Sequence, residues 1–248
     1  MKPLLRVEGL CMGWGERVIA RDLSFQVERG EIFVIMGASG CGKSTLMRYL
    51  AGLEDPLEGH VWFEDVDIHQ GWQQDLNALR RRFGVMFQAG ALWSSMTVGE
   101  NLMLPLHLFS SLPWHAKVQM AEFRLALVGL QGSFDASPST LSGGMIKRVA
   151  IARSLMLNPD VLYLDEPASG LDPVNVARLD ELILALRKHL GTTVILVTHS
   201  VGSIFAVADR ALFLDDQLKT MTTIDTPRAL LDHGPQRVRE FLQRASGL

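Results

Sequence analysis

Cysteine is scarce in this chain. Only Cys11 and Cys41 occur in 248 residues, which excludes a disulfide framework and suits a reducing compartment. Long apolar runs are missing as well. The longest candidates, around 102–108 and 193–197, fall far short of the ~18 residues that a membrane-spanning helix requires. Any membrane association is therefore expected to run through a partner. Arg6 and Glu8 stand where a secretory leader would carry its apolar stretch, so no export signal is expected. Excess positive charge is absent too: the net charge of −3 argues against nucleic acid as a partner. No internal repeat, low-complexity tract or long linker interrupts the chain. What is present is 48% hydrophobic and 21% charged residues, the composition of a globular protein. The length suits one α/β domain with a sizeable core, or such a domain with a small insertion.

One stretch organises the rest. Gly37-Ala38-Ser39-Gly40-Cys41-Gly42-Lys43-Ser44-Thr45 follows an apolar run at 32–36 that reads as a buried strand. Residues 46–51 after it read as a helix stopped by Gly52. Strand, glycine-rich turn and helix together are the setting of a phosphate-binding loop. Glycines allow backbone N–H groups to turn toward an anion, and the helix start adds unpaired donors and a positive dipole end. Lys43 is of a length to reach β- and γ-phosphates, and the Ser44 hydroxyl suits Mg²⁺. The stretch predicts binding of a nucleoside triphosphate.

Around it the chain divides into three textures. Residues 4–10, 18–27 and 59–63 read as strands of an antiparallel layer, with Leu23, Phe25 and Val27 alternating against Ser24 and Gln26. Four apolar runs, 32–36, 85–87, 161–164 and 194–197, lack that alternation, as parallel strands covered on both faces do. A helix over 173–190 carries Leu179, Leu182, Ile183, Leu186 and Leu190 on one stripe, with Asp172 as N-cap and Gly191 as its end. These features predict a doubly wound α/β core. From 96 to 159 the strand signal disappears. Thr97-Val98-Gly99-Glu100 is a capping box at a helix start, and further helices are expected over 114–128 and 144–157. The expected organisation is an α/β core at 1–90 and 159–225, a helical subdomain at 91–158, and a tail of two short helices at 226–248.

Other residues carry chemistry. Asp165 and Glu166 end the apolar run at 161–164, at the sheet edge where open α/β folds bind ligands. Asp165 is a candidate to hold Mg²⁺ through water, and Glu166 to polarise an attacking water. Taken alone, an acid pair at a strand end equally suits a solvated edge. His199 ends the next strand and is expected at the γ-phosphate and the water held by Glu166, while Gln88, after the run at 85–87, is a candidate to ligate Mg²⁺ or sense it. Leu141-Ser142-Gly143-Gly144-Met145 opens a helix followed by Lys147 and Arg148, either an ordinary cap or a second anion site. A second copy of the chain gives that site a use, because each loop then covers the nucleotide held by its partner.

In their order these stretches resemble the nucleotide-binding subunits of ATP-binding cassette transporters over nearly the whole chain. Gly37 to Ser44 resembles their Walker A motif, and Val161 to Glu166 their Walker B motif with its catalytic glutamate. Leu141 to Met145 resembles the LSGGQ signature, with Met145 where glutamine is usual. Gln88 matches the Q-loop, Ser169-Gly170-Leu171-Asp172 the D-loop and His199 the switch histidine. Trp14 lies where such proteins carry an aromatic that stacks on adenine, a contact worth ~1–3 kcal/mol; an anchor for the antiparallel layer is the other reading. The resemblance implies a P-loop NTPase fold with a parallel sheet, an antiparallel β layer and an inserted helical subdomain. It also implies ATP and Mg²⁺ as cofactors and a head-to-tail homodimer.

Phe87-Gln88-Ala89-Gly90-Ala91-Leu92-Trp93, the methionine in the signature, and Pro235 to Leu242 are similar to the ATPases that work with Mce/Mla-type lipid carriers. That branch implies a cytoplasmic ATPase paired with a membrane permease and a periplasmic lipid-binding protein, moving phospholipid in Gram-negative bacteria. An importer of amino acids or another small solute is the main rival within transport. A non-transport ATPase acting on DNA or ribosomes is the other class. It fits less well, since residues 88–141 leave no space for a long coiled coil and one cassette is present rather than two.

Overall fold

The structure, a computed structural model, describes residues 2–70 and 76–244. In chain order its strands are β1 (Leu5–Trp14), β2 (Arg17–Val27), β3 (Ile32–Met36), β4 (Glu58–Phe63), β5 (Val66–Asp67), β6 (Phe83–Met86), β7 (Val161–Asp165), β8 (Thr193–Val197), β9 (Arg210–Asp215) and β10 (Thr220–Asp225). Its α-helices are α1 (Lys43–Leu50), α2 (Leu76–Arg80), α3 (Val98–Phe109), α4 (Trp114–Leu127), α5 (Gly143–Ser154), α6 (Pro173–Leu190), α7 (Val201–Val207), α8 (Pro227–His233) and α9 (Gln236–Arg244). An antiparallel sheet has the order β2-β1-β4-β5, and a larger sheet the order β10-β9-β3-β8-β7-β6.

The larger sheet is parallel from β9 to β6, with β10 antiparallel at its edge. The expected count of four parallel strands is therefore short by one. β9 is Arg-Ala-Leu-Phe-Leu-Asp, charged at both ends, and its pairing with β3 is set by residues about 180 positions away. The expected strand at 85–87 begins two residues earlier in the structure. Phe83 draws it back by packing edge-on against Phe63 at 5.0 Å and Tyr163 at 5.7 Å between ring centroids. β1 runs four residues beyond the expected strand. Its pairing with β2 shifts register after Val7 and again after Leu10, and such bulges erase the alternation that marks a half-exposed strand.

The two-residue period of β3 decides the layering. Phe33 and Ile35 face one core, with Leu46, Met47 and Tyr49 of α1 and the inner face of the antiparallel layer. Ile32, Val34 and Met36 face a second core built with α6, α7, α8 and α9. α1 is thus enclosed between two sheets. Tyr163 donates to the carbonyl of Leu50 at 2.7 Å and Tyr49 to that of Gly13 at 3.0 Å, so the buried phenols are satisfied. α3, α4 and α5 share a third core around Leu102, Met103, Leu125 and Val149. α5 belongs to two cores, since Ala150 and Ile151 pack with the parallel sheet.

The capping box at Thr97 forms as expected: Glu100 N–H donates to Thr97 Oγ1 at 3.2 Å, and Thr97 N–H to Glu100 Oε2 at 2.8 Å. Beside it the buried Asn101 secures the preceding loop. Its Nδ2 donates to the carbonyls of Trp93 at 3.0 Å, Met96 at 3.3 Å and Thr97 at 2.9 Å, while Oδ1 accepts from Trp93 N–H at 2.8 Å. The tail forms two short helices, α8 and α9, with Val238 and Leu242 buried in the second core; residues 245–248 of the expected tail lie outside the described residues.

Four charged groups tie the layers together where the strands begin. Arg82 donates to Asp160 at 2.7 Å and to both oxygens of Glu64 at 2.8 and 3.1 Å, and Arg29 reaches the same two acids at 3.1 and 2.6 Å. The Arg82 guanidinium holds both carboxyls below their usual range. A lowered folded-state pKa stabilises fully above the unfolded carboxylate value, and the gain is lost as pH falls through the folded value. All four groups are partly exposed, so the network is worth at most ~1 kcal/mol. Arg82→Met is expected to lower the melting temperature at pH 7 by about 2–4 °C. Melting curves across pH should show that gap steady down to about pH 5 and closing below about pH 4.

Candidate nucleotide-binding site

The loop between β3 and α1 takes its shape partly from its own lysine. Lys43 is buried, and its Nζ donates to the carbonyl oxygens of Gly37 at 3.1 Å and Ala38 at 2.8 Å. Ser44, in the first turn of α1, donates from Oγ to Asp165 Oδ1 at 2.7 Å. An open cavity of about 320 Å³ lies over the loop. Ser39, Gly40, Gly42, Lys43, Ser44 and Thr45 make one wall, and Gln88, Glu166 and His199 the other. Ala38 faces a different cavity, with His199 and α9. Cys41 is buried beneath the loop, where burial pushes its thiol pKa up despite the nearby Lys43.

β7 and β8 deliver the acids and the histidine because parallel neighbours end at the same sheet edge. Asp165, the last residue of β7, is buried. Glu166 follows with φ of 46°, a backbone conformation that costs a non-glycine residue about 1–2 kcal/mol. Its N–H donates to the carbonyl of Val197 at 2.9 Å, and its Oε1 lies 2.8 Å from His199 Nδ1. An ionised carboxylate only accepts, so with Glu166 ionised the proton of this bond lies on Nδ1.

A second opening of about 270 Å³ continues from the loop past Trp14 and Arg17. Asp216 and Lys219, from the turn between β9 and β10, line its far side. Trp14, at the end of β1, is 53% exposed and lines this opening. Asp216 and Lys219 are absent from the sequence reading, which has no strand at 210–215 to place them.

Ser142, Gly143 and Gly144 stand apart from these openings. Ser142 caps α5, its Oγ accepting from Met145 N–H at 3.4 Å, and Ser142 and Gly143 are exposed. Asp172 caps α6 by accepting from the backbone N–H groups of Val174 and Asn175 at 3.0 and 3.1 Å. The Asn175 side chain also donates to it, and these bonds hold its carboxyl below the usual range. Neither motif lines the cavity over its own phosphate loop. Lys147 turns inward rather than toward an outer anion. It donates to the carbonyl of Gln88 and, at 3.3 Å, to Ser169 Oγ, and burial lowers its pKa. Arg153 donates to the carbonyls of Gly90 and Ala91 at 2.9 and 2.7 Å. α5 therefore holds the segment after Gln88 through two cations. Only the basic character of the helix hints at this in the sequence.

Residues 20–169 match the ABC transporter family. The chain is 36% identical over 243 residues to the intermembrane phospholipid transport system ATP-binding protein MlaF of Haemophilus influenzae, covering 98% of this chain and 91% of that one. It is 41% identical over 201 residues to the methionine import ATP-binding protein MetN 2 of Enterococcus faecalis, covering 81% and 58%. Among solved structures it is similar to the dimeric, post-hydrolysis ATP-binding cassette MJ0796 bound to ADP and Pi, with 27% identity, a TM-score of 0.80, and coverage of 90% and 98%. No helix among the described residues is long and apolar enough to cross a membrane. These matches, in a chain whose glycine-rich loop, acid pair and histidine meet at one sheet edge, make this protein an ATP-hydrolysing member of the ABC transporter family.

Proposed function

We propose that this ATPase drives a transporter of phospholipid between inner and outer membranes, working with a permease and an Mce-type lipid-binding protein at the cytoplasmic side of the inner membrane. The observation that carries the reading is the similarity to MlaF across 98% of the chain. Import of an amino acid is the second reading, favoured by the higher identity to MetN 2 over a shorter span.

The unit of action is a head-to-tail dimer. Ser142, Gly143 and Gly144 do not line the cavity over their own phosphate loop, so a partner's signature helix closes the open side of each site, with Asp172 nearby. Trp14 stacks on the base. The loop from Gly37 through Ala38, Ser39, Gly40, Cys41, Gly42 and Lys43 to Ser44 and Thr45 cradles the phosphates, and Lys43 leaves its two carbonyls to meet them. Ser44, Asp165 and Gln88 offer hard oxygen donors in one place, the donor set Mg²⁺ prefers. Bound there, Mg²⁺ would neutralise charge on the β- and γ-phosphates. Glu166 takes the proton from water as its oxygen attacks the γ-phosphorus and the bond to ADP breaks. His199 holds Glu166 through Nδ1 and turns its other edge to the γ-phosphate.

Purification of the tagged protein from native membranes tests the proposed cargo. A permease and a lipid-loaded Mce-domain protein are expected to accompany it. Recovery instead of an amino-acid importer, or ATPase stimulation by DNA or ribosomes, would overturn the reading.

A further inference from the structure

Helix α9 has a part in the site that the phosphate chemistry leaves unexplained. Phe241 packs edge-on against Phe213 of β9 at 5.5 Å between ring centroids. One turn earlier on the helix, Arg237 reaches past the end of β9. Its Nη1 donates to Asp215 Oδ1 at 2.6 Å and its Nη2 to Asp216 Oδ1 at 3.1 Å. The Asp215 side chain is 1% exposed. The same Oδ1 accepts from the backbone N–H groups of Gln217 and Leu218 at 2.9 and 3.0 Å. One oxygen thus gathers a guanidinium and two turn amides, and the guanidinium supplies the counter-charge that a buried carboxylate requires. The turn so fixed presents Asp216 and Lys219 to the opening beside Trp14. The Lys219 carbonyl also accepts from Arg21 N–H at 2.9 Å, which joins the turn to the antiparallel layer.

We propose that Arg237 is a positioning residue for nucleotide: by clamping Asp215 and Asp216 it holds the 215–219 turn opposite Trp14, so the tail helix sets affinity for the base and ribose. The inference rests on reading that opening as the base side of the ATP site. Without the clamp Asp215 is a buried carboxylate held by amides alone, and the turn relaxes toward solvent. The phosphate loop keeps its own bonds through Lys43 and Ser44, none of which involves Arg237.

That separation supplies the test. Arg237→Met keeps the packing of the side-chain stem and removes the donors. Dissociation constants for ATP and for inorganic tripolyphosphate are measured on the full chain, together with kcat and KM. The ATP dissociation constant and KM are expected to rise about fivefold or more, while kcat and tripolyphosphate binding stay within about twofold. Arg237→Lys, which restores a cation at Asp215, is expected to recover much of the affinity. If the methionine variant does not fold, Arg237→Gln carries the same comparison and the same expectations. Unchanged ATP binding in a folded variant, or an equal loss for tripolyphosphate, would overturn the proposal. Absence of ATP binding by the parent chain would instead remove the nucleotide reading on which it rests.

Discussion

Glu166→Gln is expected to bind ATP as the parent does, to lose about 10²–10⁴-fold in turnover, and to accumulate as a dimer. Glutamine keeps the shape of glutamate and can still accept from His199 Nδ1, so the hydrogen bond at 2.8 Å survives. It cannot take the proton of an attacking water. The backbone at this position, with φ of 46°, is equally awkward for both residues, so folding is not the discriminant. Steady-state phosphate release, nucleotide affinity and sedimentation with ATP together check the outcome. Normal phosphate release would remove Glu166 from the role of base. A turnover defect accompanied by lost ATP affinity would mean that the residue serves binding instead.

Gly37→Ala is expected to damage both fold and site. The residue has φ of 150°, a region almost reserved for glycine. A Cβ there would sit 2.5 Å from the carbonyl oxygen of Leu214 and 2.9 Å from Cys41 Sγ. Leu214 is backbone of β9 and cannot swing aside as a side chain would. Strain of this kind costs about 1–3 kcal/mol, which for a chain of this size lowers the melting temperature by about 2–4 °C per kcal/mol. The displaced Gly37 carbonyl is also one of the two that hold Lys43, so ATP affinity should fall by about tenfold or more, or ~1.4 kcal/mol. Gly40→Ala is the matched control. Its φ is 81°, but nothing lies within 4 Å of the added carbon, so only the backbone cost of about 1–2 kcal/mol applies. Equal losses in the two variants would show that contact with β9 is immaterial.

That contact also marks where sequence reasoning runs out. The meeting of the glycine-rich loop, the acid pair and the histidine at one edge was legible because each sits beside a strand of uniformly apolar residues, and parallel strands carry their C-terminal residues to one edge. The capping box at Thr97 and the helix from Pro173 to Leu190 were equally legible, since caps and stripes are local. β9 was not. Its six residues are no longer than many buried helix turns, and its charged ends resemble a loop; its identity comes from pairing with β3, far away in sequence. With β9 went the turn at 215–219 and the place of Asp216 and Lys219 beside Trp14. In sequence Lys147 is part of a basic helix start, but its inward direction depends on how α5 meets Gln88 and Ser169. Local chemistry could be read in advance, and long-range placement could not.

The buried amide of Asn101 has a consequence for any surface that meets this protein. Four hydrogen bonds hold the segment before α3, and that segment displays Trp93 with 58% of its surface in water. An indole on a loose loop would surrender main-chain freedom on contact, at roughly 1–2 kcal/mol for each residue stilled. Here that freedom is already gone before any encounter. A surface that covered this tryptophan would meet a stiff probe, and the free energy of covering it would go into adhesion rather than into ordering.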